Sequence, residues 1–184
     1  MQFKFNVNLT DNDYLEYNRF WNFRSHYGRG QIISMRIMVA VILGIFMLVS
    51  LAINGFSADA LIGIIPLLIV LVLMELFLKK FIIFSLKANI KSLRKKGKVG
   101  YSPNSTIEFY DETFTEATPE TKTEQKYSSI ERLSVVKGRA LYFHVNSLMA
   151  YILPIDAFEN KLQYDSFMEF ITGKINTIDY FDPQ

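Results

Sequence analysis

Two long apolar runs separated by a six-residue turn constrain this chain more than any other feature. Ile37–Ile53 is 17 residues without a charge, and only Gly44 and Ser50 in it are not apolar. Starting the run at Ile32 gives 22 residues, about 33 Å of helix, enough to cross a bilayer core. Arg36 then sits one turn inside the boundary, where its long stem can carry the charge out to the headgroups. The second run, Ala60–Leu78, is 19 residues interrupted only by Gly63, Pro66 and Glu75. Pro66 falls in the second turn, an early position where the lost backbone bond is easier to accommodate. The intervening Asn54–Asp59 is rich in turn formers. Neither run has a polar face, so a soluble helix pair would need burial all round, and the rest of the chain is too short to enclose both. The pattern predicts a transmembrane helical hairpin over 32–84, with spans at about 32–53 and 60–78.

Charge is segregated around these runs. The chain has 20 Lys+Arg and 18 Asp+Glu, a net charge of +2 that argues against a general nucleic-acid binder. Residues 1–36 hold five bases, residues 37–78 none, residues 79–98 eight bases and no acid, and residues 99–184 seven bases against thirteen acids. Thirteen bases thus flank the outer ends of the hairpin and none lies in its loop, which predicts both termini in the cytoplasm and the loop outside. The 31 largely polar residues ahead of the first span argue against a cleaved signal peptide. Glu75 is the only acid within a span; it lies near the cytoplasmic end, and its spacing predicts a helical partner in Lys79, four residues on.

The remainder reads as a small sheet domain with helical attachments. Phe3, Phe5, Val7 and Leu9 alternate with polar residues, so Gln2–Leu9 is predicted to be a half-buried strand. Thr10 or Asp11 then caps a helix in which Tyr14, Tyr17, Phe20, Trp21 and Tyr27 recur at roughly helical spacing, completing an N-terminal segment over 1–31. A basic helix is expected over 85–98. Its Lys87, Lys91, Arg94, Lys95, Lys96 and Lys98 are the candidate contacts with an anionic membrane surface, beside a narrow stripe of Leu86, Ile90 and Leu93. From Val99 the pattern changes to short strands and turns: Thr106–Tyr110, Thr113–Thr118, Thr123–Tyr127, Ile130–Val136, Ala140–Val145 and Leu148–Leu153. After Pro154 the spacing of Tyr164, Phe167, Met168, Ile171 and Ile175 is helical. The fold class is therefore membrane α+β. A two-helix hairpin accompanies an antiparallel, pleckstrin-homology-like (PH-like) sheet domain over 99–178, capped by a C-terminal helix. The strand Gln2–Leu9 can supply its seventh strand, and 179–184 is expected to be a frayed tail.

Three stretches resemble the YcxB-like bacterial membrane proteins: Asp13-Tyr14-Leu15-Glu16-Tyr17-Asn18 ahead of the hairpin, Tyr127-Ser128-Ser129-Ile130 in the sheet, and Ile152-Leu153-Pro154-Ile155-Asp156-Ala157-Phe158 at a strand exit. The resemblance implies a bacterial plasma-membrane protein with a cytoplasmic PH-like domain, and it implies no activity.

The residues make a poor enzyme. No cysteine occurs, and His26 and His144 are the only histidines, which excludes thiolate chemistry and multi-His metal sites. His144, in the strand Leu141–Val145, is expected on the outer face of the sheet, and neither histidine lies beside a serine in a strand-to-helix elbow. Gly28-Arg29-Gly30 is too short for a phosphate loop. No cofactor, metal or catalytic residue is assigned. The expected role is a membrane-anchored, non-enzymatic binding module with the lipid bilayer and a cytoplasmic protein as its partners, and with no nucleic acid. The alternative is a helix-packing subunit or regulator of a larger membrane complex, such as a transporter or a resistance or immunity system. Gly44, Ser50, Ala52 and Gly63 would then permit close helix approach.

Overall fold

The computed structural model describes residues 1–182, and the chain divides into two compact units. The first combines Met1–Tyr14 with the chain from Lys98 onward; the second is Leu15–Gly97.

The first unit contains two four-stranded sheets. One has the order β1-β2-β3-β4, formed by β1 (Phe3–Asn8), β2 (Asn104–Phe109), β3 (Thr113–Ala117) and β4 (Lys122–Lys126), all antiparallel. Alternation in β1 places Phe5 and Val7 on the buried face and Lys4, Asn6 and Asn8 in solvent. β1 lies against β2 with Phe3 opposite Phe109 and Asn8 opposite Asn104. Backbone bonds from Gln2 to Phe109 and from Leu9 to Pro103, each 2.8 Å, extend the ladder at both ends. The second sheet has the order β7-β6-β5-β8, formed by β5 (Arg132–Val136), β6 (Ala140–His144), β7 (Ala150–Pro154) and β8 (Ile178–Phe181). Gly138, at φ +68°, makes the β5–β6 turn in a conformation that side chains disfavour.

Helix α4 (Lys161–Thr172) closes the core. Asn160 caps it, accepting a hydrogen bond from the Gln163 N–H at 2.9 Å. Phe167 on α4 is fully buried, its ring 4.7 Å from Phe109, 5.2 Å from Phe5, 5.3 Å from Phe3 and 5.5 Å from Phe158. Around this ring gather Ile107, Phe114, Leu133, Leu141, Phe143 and Ile171, so both sheets share one core. The end of α4 is fastened by Lys174, which donates to the Asp111 carbonyl at 2.6 Å while its ammonium lies 4.8 Å from the Phe170 ring.

Two expectations for this unit need correction. The strands form two sheets rather than one continuous meander, because Tyr127–Ser129 forms a 3-10 turn where the chain passes from β4 to β5. The tail is not frayed over 179–181: β8 pairs parallel with β5, and Asp179 forms an ion pair with Arg132. Pro183 and Gln184 lie outside the described residues.

The second unit contains most of α1 (Asp11–Phe23) and the two long helices α2 (His26–Asn54) and α3 (Ala58–Lys95). At 1.5 Å per residue, α2 is about 43 Å long and α3 about 57 Å. They run antiparallel, since Arg36 meets Glu75 near one end and Ser50 meets Gly63 near the other. The expected N-terminal helix ends at Phe23 rather than running past Tyr27. There Ser25 donates to the Trp21 carbonyl at 2.6 Å and accepts from the Gly28 N–H at 3.0 Å, ending α1 and capping α2 together. A Cβ on Gly28 would fall 1.8 Å from the Trp21 carbonyl oxygen, so this Gly permits the tight corner and forms no phosphate loop. The expected boundary at 84/85 is also absent. No Gly or Pro interrupts Leu67–Lys95, and good helix formers carry α3 unbroken into the basic segment.

β1 is needed to complete the core, because Phe5 is 1% exposed while Asn6 faces solvent. Replacing Phe5 with Asp buries a carboxylate among aromatic rings and should destabilise the sheet unit by several kcal/mol. The same change at Asn6 should be mild. Protease resistance of the full-length variants measures the contrast, and equal tolerance at the two positions would show β1 to be dispensable.

Candidate functional site

Each expected membrane-contact residue is exposed, but the set falls into two parts. Lys87, Lys91, Arg94 and Lys95 project from the last turns of α3, whereas Lys96 and Lys98 follow its end. Leu86, Ile90 and Leu93 are half-buried, so the narrow apolar stripe exists beside the exposed bases. Two further lysines, Lys79 and Lys80, were not among the expected membrane contacts. Lys79 lies 5.5 Å from the Phe23 ring, and Lys80 lies 5.6 Å from the Phe77 ring.

Glu75 does not take Lys79 as its partner. Its carboxylate pairs across the hairpin with Arg36 at 3.3 Å, a contact between residues 39 apart in sequence. The pair neutralises the one acid and the one base set within the long apolar stretches, which lowers the cost of placing either in a poorly solvated environment. Just beyond it, one face of α3 forms an apolar groove of about 450 Å³, lined by Val70, Leu73, Met74, Phe77, Leu78 and Phe81.

A second constellation lies in the sheet unit. His144 takes the face of β6 opposite Leu141 and Phe143, as alternation requires, but this outer face is closed to solvent: His144 and Ser134 are each 1% exposed. Ser134 Oγ and His144 Nε2 are 3.1 Å apart on neighbouring strands, with the Arg132–Asp179 ion pair nearby in the sheet. This has the composition of a nucleophile–base–acid set, yet burial denies it a substrate. Burial, reinforced by the Arg132 charge, lowers the His144 pKa from 6.5 to about 4. The imidazole is therefore neutral at physiological pH and serves as a hydrogen-bonding core residue.

Other perturbed groups are structural as well. Burial raises the Glu116 pKa. Burial also raises that of Tyr127, whose hydroxyl donates to the Tyr110 carbonyl at 2.8 Å. Among the described residues no cluster of His, Asp or Glu could hold a metal ion.

The stretch from Phe109, at the end of β2, to Ile171 in α4, covering β3 to β7 and nearly all of α4, can be compared with known families. Residues 109–171 match the family described as YcxB-like protein. This segment is YcxB-like. It includes Tyr127–Ile130 and Ile152–Phe158, two of the three stretches that carry the resemblance in the sequence, while Asp13–Asn18 lies outside it. No curated protein and no solved structure matches the chain. The YcxB-like segment contains His144 and Ser134 but neither the basic end of α3 nor the groove.

The His144 environment makes stability depend on pH with a definite sign. The folded state resists protonation down to about pH 4, whereas the unfolded state takes up a proton near 6.5. The contribution is complete above pH 6.5 and lost as pH falls toward 4, by about 3 kcal/mol in total. Glu116 works in the opposite direction, so the readout is the difference between wild type and His144→Asn in full-length protein. The variant should lose less stability between pH 7.5 and 5 in chemical denaturation. Parallel losses would show that His144 does not carry the effect.

Proposed function

We propose that this chain is a bacterial plasma-membrane protein whose α2–α3 hairpin spans the bilayer with both termini in the cytoplasm. There it holds a PH-like domain as a non-enzymatic binding module for a protein partner. The observation that carries the reading is uncovered apolar surface. In the most apolar 18-residue stretch of α2 no residue is buried, and in that of α3 only 6% are. Side chains such as Ile37, Phe46, Leu48 and Leu76 are 59–67% exposed, far more contiguous apolar surface than a water-soluble chain tolerates. A lipid solvent accounts for it, and the closed helices satisfy their own backbone groups there. The thirteen bases outside the hairpin supply the orientation.

Support for a PH-like domain comes from the succession of a four-stranded sheet, three antiparallel strands and a closing helix, to which β8 is an addition. Support for partner binding comes from the sheet margin. β4 is one of the two outer strands of the first sheet, and Lys122, Thr123, Glu124 and Lys126 on it are exposed, leaving room for an extended peptide to add alongside. The subunit alternative draws less support, because Gly63 already faces Ser50 inside the hairpin, where a Cβ on it would fall 3.8 Å from Ser50 Oγ.

Cysteines introduced singly at Ser57 and Ser128 test the topology in intact cells. The first should react with a membrane-impermeant thiol reagent and the second should not; the reverse pattern would overturn the orientation. Affinity purification of the full chain from native membranes tests the module. A bound protein should be lost when Lys122 and Lys126 become Glu and kept when Gly44 becomes Leu. Loss with Gly44→Leu alone would favour helix-mediated assembly.

A further inference from the structure

We infer that α3 carries a binding site for an anionic phospholipid, with an acyl chain lying along the Val70–Phe81 groove and the phosphate held at Lys80. The inference rests on the hairpin spanning a bilayer, and three independent features of α3 then converge on this ligand.

The first is depth. From Ala58, at the loop end of α3, to Lys80 is a rise of about 33 Å, which puts Lys80 at headgroup level when the loop lies at the opposite surface. The groove runs back from there for about 16 Å, close to the 15 Å or so of one hydrocarbon leaflet. It is apolar throughout, so nothing in it would oppose an acyl chain.

The second feature is how the polar end meets the apolar one. Lys80 is not an independent surface charge: its ammonium lies 5.6 Å from the ring of Phe77, which itself lines the groove. A phosphate bound to Lys80 therefore has its chains delivered to the groove mouth without crossing a polar barrier.

The third is charge. Residues 79–98 carry eight bases and no acid, and the nearby acid, Glu75, is tied to Arg36 at 3.3 Å. The site is thus unopposed in its preference for a net negative headgroup over a zwitterionic one. The same charge disfavours a second copy of this chain as the occupant. Inserted in the same orientation, its helix would bring its own eight bases to the same depth.

The test uses the full chain in bilayer nanodiscs containing equal amounts of phosphatidylglycerol and phosphatidylcholine, with retained lipids counted by native mass spectrometry. Wild type should retain phosphatidylglycerol over phosphatidylcholine. Lys80→Gln should reduce that preference about five-fold, the effect of one cation at the membrane surface. Leu73→Trp, which fills the groove, should reduce retention of both lipids. Lys91→Gln with Lys95→Gln removes two charges farther along α3 and should reduce the preference less than Lys80→Gln does. Equal retention of the two lipids by wild type would overturn the site. So would an equal loss in the Lys91/Lys95 variant, which would assign the preference to diffuse charge. Carbonate extraction of membranes reads the underlying premise separately: release of the chain would refute the spanning hairpin and the lipid site together, whereas retention without lipid preference would refute the lipid site alone.

Discussion

The sheet unit depends on the pairing of β1 with β2, two strands separated by almost a hundred residues that fold as a different unit. Phe3 and Phe5 reach the core only because the register sets them opposite Phe109 and Ile107, where both stand over Phe167. Without β1 one side of that ring would face water. The pairing also makes β1 an outer strand, with Lys4 bridged to Glu108 at 3.0 Å on its solvent side. That exposed ion pair adds little stability, and the aromatic face supplies the rest.

Such a pairing would be entropically expensive if the intervening chain were a loose loop. It is instead an antiparallel helical hairpin, which returns the chain close to where it left. Ser50 against Gly63 near the loop and Arg36 with Glu75 toward the other end align the two helices along much of their length. The two units are thus linked by topology: the sheet unit is built from two separate stretches of chain, and the second unit is the contiguous stretch between them. Long-range pairing of this kind also implies that the sheet completes only after both helices and β2 have been made.

Much of this was legible in the sequence because it rests on periodicity. Period-two alternation located β1, the charge-free runs located α2 and α3, and the Tyr164–Ile175 spacing located α4 with Phe167 and Ile171 inward. What stayed hidden involves contacts that local spacing does not encode. Glu75 has a plausible partner four residues away, but its actual one is on another helix. β8 is only four residues long, and its parallel pairing with β5, with Asp179 beside Arg132, is a long-range contact that so short a pattern does not announce. His144 belongs to a strand buried on both faces, where alternation no longer separates core from solvent. The groove on α3 was invisible for a similar reason: in a helix apolar on every side, sequence alone gives no preferred face.

A strand ahead of the hairpin is an integral part of the sheet that follows it. Amide hydrogen exchange of the full chain in nanodiscs tests this most directly. Amides of Phe3–Asn8 should exchange as slowly as those of Asn104–Phe109 and Thr113–Ala117, and all three should lose protection together under mild denaturant. Rapid exchange throughout Phe3–Asn8, while β2 and β3 remain protected, would contradict it.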